Sequence, residues 1–164
     1  TSPILAWLAQ RGRAIRRAVL VMQAEVADRM LAAPGTGAYG RLSLLARYSW
    51  EARQLFPVPR SAFFPQPDVD SSCLELVPWA SPPVAVEDEP FFFAVVKAAF
   101  SQRRKTLVNC LVGPGPCGVP RPTIEAATES LSLPRAVRGE ALSLVQFAAL
   151  ANALWRIRRA QPPL

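Results

Sequence analysis

The side chains best placed to do chemistry are two aromatic rings followed at once by a proline-spaced turn, Phe63-Phe64-Pro65-Gln66-Pro67. Proline fixes φ and restrains its predecessor toward extended geometry, so Pro65 and Pro67 hold this stretch in one shape. Rings held on a stiff loop suit stacking on a flat partner, and for a basic protein the commonest such partner is a nucleic-acid base. A second reading stays open: a stiffened approach to a strand, with Phe63 and Phe64 packed as ordinary core.

The second cluster is FSQRRKTL, Phe100–Leu107. Between Pro90 and Ile124 there are five basic residues, Lys97, Arg103, Arg104, Lys105 and Arg121, and no acidic one. An uncompensated cationic patch is what phosphate contact requires, because affinity comes from charge neutralisation and counterion release. Arginine can also grip a phosphate through two parallel hydrogen bonds. Arg103, Arg104 and Lys105 are therefore candidate RNA or DNA contacts, against the alternative of a solvated basic face. The net charge of +7 favours a polyanionic partner.

Other chemistries fall away. There is no histidine, which removes Ser-His-Asp and Cys-His catalysis and any imidazole zinc site. Cys73, Cys110 and Cys117 are an odd number without metal-ligand clustering and read as reduced thiols of a cytoplasmic protein. Gly113, Gly115 and Gly118 spell G-x-G-x-x-G, but Pro114 and Pro116 interrupt it and no strand precedes it, so it reads as a surface loop. Asp68 and Asp70 lie two apart on an extended segment, without the spacing or context of an acid–base pair. Asp70 beside Ser71 reads as an Asx-type turn or strand cap, not a general base. No run approaches the roughly 18 apolar residues of a membrane span, and the first apolar stretch precedes its basic residues, unlike a signal peptide.

These residues need elements to position them. Ser2-Pro3 opens a helix through ILAWLAQ. Arg16–Gln23, RRAVLVMQ, predicts a strand covered on both faces. Ala24–Leu31 predicts a helix, Pro34–Gly37 a turn, Leu42–Ala46 a short helix, Trp50–Val58 an extended segment and Ser72–Val77 a strand. That is an α/β pattern with only three strands, a thin sheet. The proline-rich Pro78–Pro90 places a boundary, dividing the chain into 1–80 and 81–164. Beyond it the pattern is helical: Phe92, Val96 and Phe100 recur with Asp88 and Glu89 at the helix start. Thr123–Leu131 is a weaker helix. Ser143 and Gln146 form a capping box for a last helix along Leu144, Phe147, Ala151 and Leu154, ending in Arg156, Arg158 and Arg159.

Five blocks in order carry a resemblance: SPILAWL, MQAEVADRMLAAPGTGAYGRLSLLARY, SAFFPQPDVDSSCLELVP, FFAVVKAAFSQRRKTLVN and RGEALSLVQFAALANAL. Together they resemble the rRNA adenine dimethyltransferases of the KsgA type, which use S-adenosylmethionine to dimethylate two adjacent adenines near the 3′ end of small-subunit rRNA. The resemblance implies the C-terminal part of a Rossmann-like methyltransferase sheet, residues 1–80, followed by a small helical RNA-binding domain, residues 81–164. It implies that Phe63, with Pro65 and Pro67, stacks on the flipped target adenine, Phe64 being the weaker candidate. It also implies that Gln102, Arg103, Arg104 and Lys105 face the RNA.

Nothing in these 164 residues matches the family's glycine-rich cofactor loop or its catalytic Asn-Leu-Pro-Tyr motif, which lies just before Ser-Pro-Ile-Leu. The expectation is a piece that holds neither catalytic nor cofactor residues, inactive alone, from a cytoplasmic, monomeric enzyme that partners the small-subunit rRNA. Two alternatives stand beside it: a non-catalytic RNA-binding or ribosome-assembly factor, and the sister family that methylates large-subunit rRNA.

Overall fold

Leu74 and Leu76 are fully buried, and the residue between them is a glutamate. That alternation organises the first part of the chain, because successive side chains of a strand point to opposite faces. The computed structural model describes residues 2–10, 15–112 and 119–160. Its elements run α1 (Ser2–Gln10), β1 (Ala18–Gln23), α2 (Ala24–Leu31), α3 (Arg41–Ser49), β2 (Trp50–Val58), β3 (Ser71–Pro78), α4 (Glu89–Ala99), α5 (Leu107–Leu111), α6 (Arg121–Ser130) and α7 (Leu144–Ala160). Two compact units result, one from Thr1–Ala33 with Ala38–Pro83 and one from Pro34–Gly37 with Val84–Leu164.

In the first unit the three strands form an antiparallel sheet in the order β1-β3-β2. Met22, Leu74, Leu76 and Trp50 from the sheet join Leu5, Ala27, Met30 and Ala46 from α1, α2 and α3 in one apolar cluster. The opposite face carries Glu75 with Val19 and Arg53 directly across from it. Glu75 is only 5% exposed and sits between two arginines, with Arg17 Nε at 3.0 Å and Arg53 Nε closer still. The Arg53 hydrogen bond holds the Glu75 carboxyl below the usual carboxylate range, burial opposes this, and the charges of Arg53 and Arg17 reinforce it.

One expectation for this sheet is overturned. The apolar run of β1 predicts burial on both faces, yet Val19 and Val21 are about half exposed while Met22 is buried. The helices cover one face, and among the described residues β1 has a strand partner on one edge only. The strand itself begins at Ala18, two residues later than the run suggests.

The second unit is helical, with α7 packed on α4 and α6, and α5 between α4 and α6. Phe92, Phe147, Leu107, Ile124, Leu142 and Leu150 are fully buried. The starts of α4 and α7 are where the sequence puts them, whereas α6 begins at Arg121, two residues before the expected Thr123, and α5 has no counterpart among the expected helices. Asp88 Oδ1 accepts the Phe91 N–H at 2.7 Å. Ser143 and Gln146 exchange bonds, the Ser143 N–H to Oε1 at 2.9 Å and the Gln146 N–H to Oγ at 3.3 Å. The Pro34–Gly37 turn belongs to this unit and is tied to it by the Gly35 N–H donating to the Glu140 carbonyl at 2.8 Å. Gly35 has φ +84°, a value that favours glycine.

Two outcomes follow from these contacts. A Cβ added at Gly139 lies 2.9 Å from the Ala99 carbonyl oxygen, so Gly139→Ala forces backbone apart and costs about 1–3 kcal/mol in chemical denaturation. Glu75 has a depressed pKa, so its contribution to stability is present above the ordinary carboxylate range and is lost as pH falls through its lowered value. Glu75→Gln should flatten that acid-side decline in melting temperature as pH falls below the ordinary carboxylate range; an unchanged profile excludes the ion pairs as its source.

Candidate nucleic-acid interface

The loop from Pro59 to Asp70 joins β2 to β3, and the pairing of Val58 with Ser71 closes its base. Its shape is set by polar bonds. A single 3-10 turn, Arg60–Ala62, is held by the Ala62 N–H to the Pro59 carbonyl at 3.0 Å and the Phe63 N–H to the Arg60 carbonyl at 3.3 Å. The Phe64–Pro65 peptide is cis. Asp70 closes the far side: its Oδ1 accepts the Arg60 N–H at 2.8 Å and its carbonyl accepts the Ala24 N–H, the first of α2, at 3.0 Å. A longer contact, 3.4 Å, runs from Arg60 Nη1 to the Asp68 carbonyl.

Every residue from Pro59 to Asp70 is exposed. Phe64 is completely exposed and Phe63 is 37% exposed, so the core-packing reading of these rings does not describe the fold. Pro65 and Pro67 follow in the same exposed turn. The Asp70 expectation needs one correction. Its carboxylate caps an N–H ten residues upstream, not a local Asx turn, and Asp68 and Asp70 lie on a bent segment before β3 starts at Ser71. Beside the loop is a groove of about 420 Å³, lined in part by Gln23, Glu25, Arg60 and Asp70.

Gln102, Arg103, Arg104 and Lys105 lie in the second unit, on the exposed connection between α4 and α5. The turn is closed by the Lys105 N–H to the Gln102 carbonyl at 3.1 Å, and the Cys110 thiol also donates to that carbonyl at 3.5 Å. Thr106 caps α5. The Arg103 guanidinium reaches the Gly37 carbonyl at 3.4 Å, whereas Arg104 and Lys105 make no ion pair among the described residues. At the other end of the unit Arg156 is taken up by Glu87 at 2.5 Å, and Arg158 lies over the Phe91 ring at 5.6 Å. The two candidate sets thus sit on two units, an aromatic loop on one and a cationic loop on the other.

What the sequence did not reveal is a groove of about 680 Å³ on the helical unit, where Asn109, Arg121 and Arg135 meet. Arg121 donates to Asn109 Oδ1 at 2.5 Å and to Glu125 Oε1 at 3.2 Å. The spacings between these residues carry no periodic signal, so only the fold assembles them. Acid–base candidates stay few: Tyr39 is buried and its phenol is pushed up to about 12 by that burial, with the Arg47 charge pulling the other way. The interrupted glycine motif at Gly113, Gly115 and Gly118 lies outside the described residues. Among the described residues, no group of His, Cys, Asp and Glu side chains could hold a metal ion, and no helix is long and apolar enough to cross a membrane.

A small antiparallel sheet backed by helices, with a stiff aromatic loop and a separate basic helical unit, can now be set beside known proteins. The family model for ribosomal RNA adenine dimethylase matches residues 1–126. The chain is 46% identical over 160 residues to ribosomal RNA small subunit methyltransferase A of Geobacillus thermodenitrificans, covering 97% of this chain and 55% of that protein. It is 48% identical over 155 residues to the protein of the same name from Streptococcus pneumoniae (strain CGSP14), covering 94% and 53%. The chain belongs to the ribosomal RNA adenine dimethylase family, and it spans about half the length of the curated relatives it matches. In fold it is similar to the crystal structure of a dimethyladenosine transferase from Plasmodium falciparum, with TM-score 0.74 at 23% identity over 92% of this chain and 61% of that one. It is also similar to the crystal structure of the 23S rRNA methyltransferase ErmE, with TM-score 0.63 at 24% identity over 93% and 60%.

If Asp70 pins the aromatic loop, Asp70→Ala should cost about 1 kcal/mol and speed amide exchange at Arg60 and Phe63. Hydrogen-exchange mass spectrometry of the 58–71 segment reads this directly. Unchanged protection there means the prolines alone hold the shape.

Proposed function

We propose that this chain is the base-stacking and RNA-holding portion of an S-adenosylmethionine-dependent enzyme that dimethylates two adjacent adenines near the 3′ end of small-subunit rRNA. The observation that carries the reading is the exposed Phe63–Phe64 pair on a loop whose shape is fixed by backbone bonds. A base taken out of its stack needs a flat face to meet, and Phe63 with Pro65 and Pro67 supplies one. Gln102, Arg103, Arg104 and Lys105 hold phosphates on the helical unit. The names of the curated relatives favour the small subunit as substrate, and the likeness to the large-subunit enzyme is one of fold only.

The described residues do not fit the methyl donor. The direct strand-to-helix junction, Gln23–Ala24, carries no glycine-rich loop to admit a cofactor's polar backbone contacts. The edge of β1 that has no strand partner among the described residues and the half-exposed Val19 and Val21 support the reading of residues 1–80 as the C-terminal part of a larger Rossmann-like sheet, with 81–164 as the RNA-binding helical domain. When bound, S-adenosylmethionine supplies the methyl group, and residues beyond these would hold it and the adenine amine. The complete protein would act as a monomer on small ribosomal subunits in the cytoplasm.

Tritiated-methyl transfer to under-methylated small ribosomal subunits tests both parts. The 164-residue chain alone should give no incorporation, and clear incorporation overturns the division of labour. In a protein joining this chain to the missing half of a relative, Phe63→Ala should cut activity far more than RNA affinity, because one stacked base is worth only about 1–3 kcal/mol. The double change Arg103→Ala, Arg104→Ala should weaken RNA binding and flatten its salt dependence. An unchanged salt slope removes those arginines from the interface.

A further inference from the structure

We propose that the groove of the helical unit, bounded by α5, α6 and the turn after α6, binds one unpaired ribonucleotide of the strand held by the Gln102–Lys105 loop. Ser132 and Arg135 are its contacting side chains. The inference rests on the RNA-binding reading above and assigns it a second contact point.

The groove holds about 680 Å³, within the roughly 300–1,000 Å³ of small-molecule clefts. Its lining is mixed: Pro122 and Pro134 offer flat apolar surface, Asn109, Arg121, Ser132 and Arg135 offer polar groups, and the carboxylates of Glu125, paired with Arg121, and Glu129 also line it, so a phosphate is met on the Arg135 side. Arg121 is already committed, donating to Asn109 Oδ1 at 2.5 Å and Glu125 at 3.2 Å. That bond leaves the Asn109 amide nitrogen without a partner among the described residues, a donor available to a base edge. Arg135 makes no ion pair among the described residues and is available for a phosphate.

A second, independent observation marks the same place. Helix α6 ends in a Schellman motif, with the Leu133 N–H donating to the Thr128 carbonyl at 3.0 Å and the Ser132 N–H to the Glu129 carbonyl at 2.8 Å. The left-handed residue of that motif is Ser132, with φ +54°, where glycine is the usual and less strained choice. The fold therefore tolerates backbone strain to carry a side chain at the groove wall, and strain kept at such a position points to function.

Continuity with the cationic loop names the ligand. Thr106 ends that loop, caps α5 and lines the groove. The Leu107 N–H donates to the Val137 carbonyl at 2.8 Å, and the Val137 N–H closes a turn onto the Pro134 carbonyl at 2.9 Å. Arg135 thus sits on a turn bonded to the residue two beyond Lys105. A strand whose phosphates rest on Arg104 and Lys105 would pass the groove mouth.

The test is an NMR amide titration of the 164-residue chain with a short single-stranded oligoribonucleotide and with each of the four ribonucleoside 5′-monophosphates. Shifts are expected at Asn109, Ser132 and Arg135 as well as at Gln102–Lys105. Arg135→Ala should weaken oligoribonucleotide binding about tenfold, the loss of one charge-assisted contact. Ser132→Gly separates ligand contact from folding: it should raise the melting temperature by relieving the strain, yet weaken binding severalfold. Shifts confined to Gln102–Lys105, with both variants at the original affinity, overturn the groove and leave the RNA-binding reading standing. A chain that does not bind the oligoribonucleotide at all overturns both.

Discussion

The first unit depends on one buried carboxylate. Glu75 lies in the central strand, on the sheet face that the helices leave uncovered, and its charge is tolerable there only because Arg17 and Arg53 reach it from the two flanking segments. Pairs between a covered carboxylate and exposed arginines add little net stability but penalise alternatives, since a slip of one residue would move Glu75 into the apolar cluster with Leu74 and Leu76. Beyond a one-residue register shift between Gln54 and Phe56, the same two strands pair Val58 with Ser71. The ends of the aromatic loop are therefore held by the sheet, and Asp70, the residue before the strand, is brought to where it can accept the Arg60 N–H.

The second unit solves a related problem with backbone. Its candidate RNA contacts lie on a short connection between helices, where side chains alone fix little. Three main-chain bonds secure the surroundings: Lys105 to Gln102, Leu107 to Val137, and Gly35 to Glu140. The close approach of Gly139 to the Ala99 carbonyl belongs to the same packing. The cationic side chains are left exposed while the chain carrying them is held, which limits the ordering entropy that binding would otherwise cost.

How much of this was legible in the sequence follows from the range of each interaction. Local signals carried: the Ser143–Gln146 capping box, Asp88 at the start of α4 and the Pro34-Gly35 turn all act within four residues. The run AVLVMQ misled because every residue but the last is apolar, so the alternation between Val21 and Met22 exists only as burial. Asp70 was legible as a cap but not in its partner, since a bond spanning ten residues depends on the hairpin closing first. The groove between Asn109, Arg121 and Arg135 was not legible at all. The family resemblance reached what periodicity could not, because five ordered blocks constrain far more than any one of them.

The exposed rings carry a thermodynamic argument of their own. Burying a phenylalanine is worth about 1.5–3 kcal/mol, and Phe64 forgoes all of it in this fold. Two routes could hold such a loop: pack the rings inward and let apolar contact set the shape, or set the shape by other means and leave the rings outside. The Asp70–Arg60 bond, the 3-10 turn and the two prolines take the second route. Loop shape is then decoupled from ring burial, so a flat partner meeting the ring face would not require the loop to give up a packed state. A loop stabilised by its own aromatics would have to unpack before it could stack on anything else, and that cost would be subtracted from every base it held.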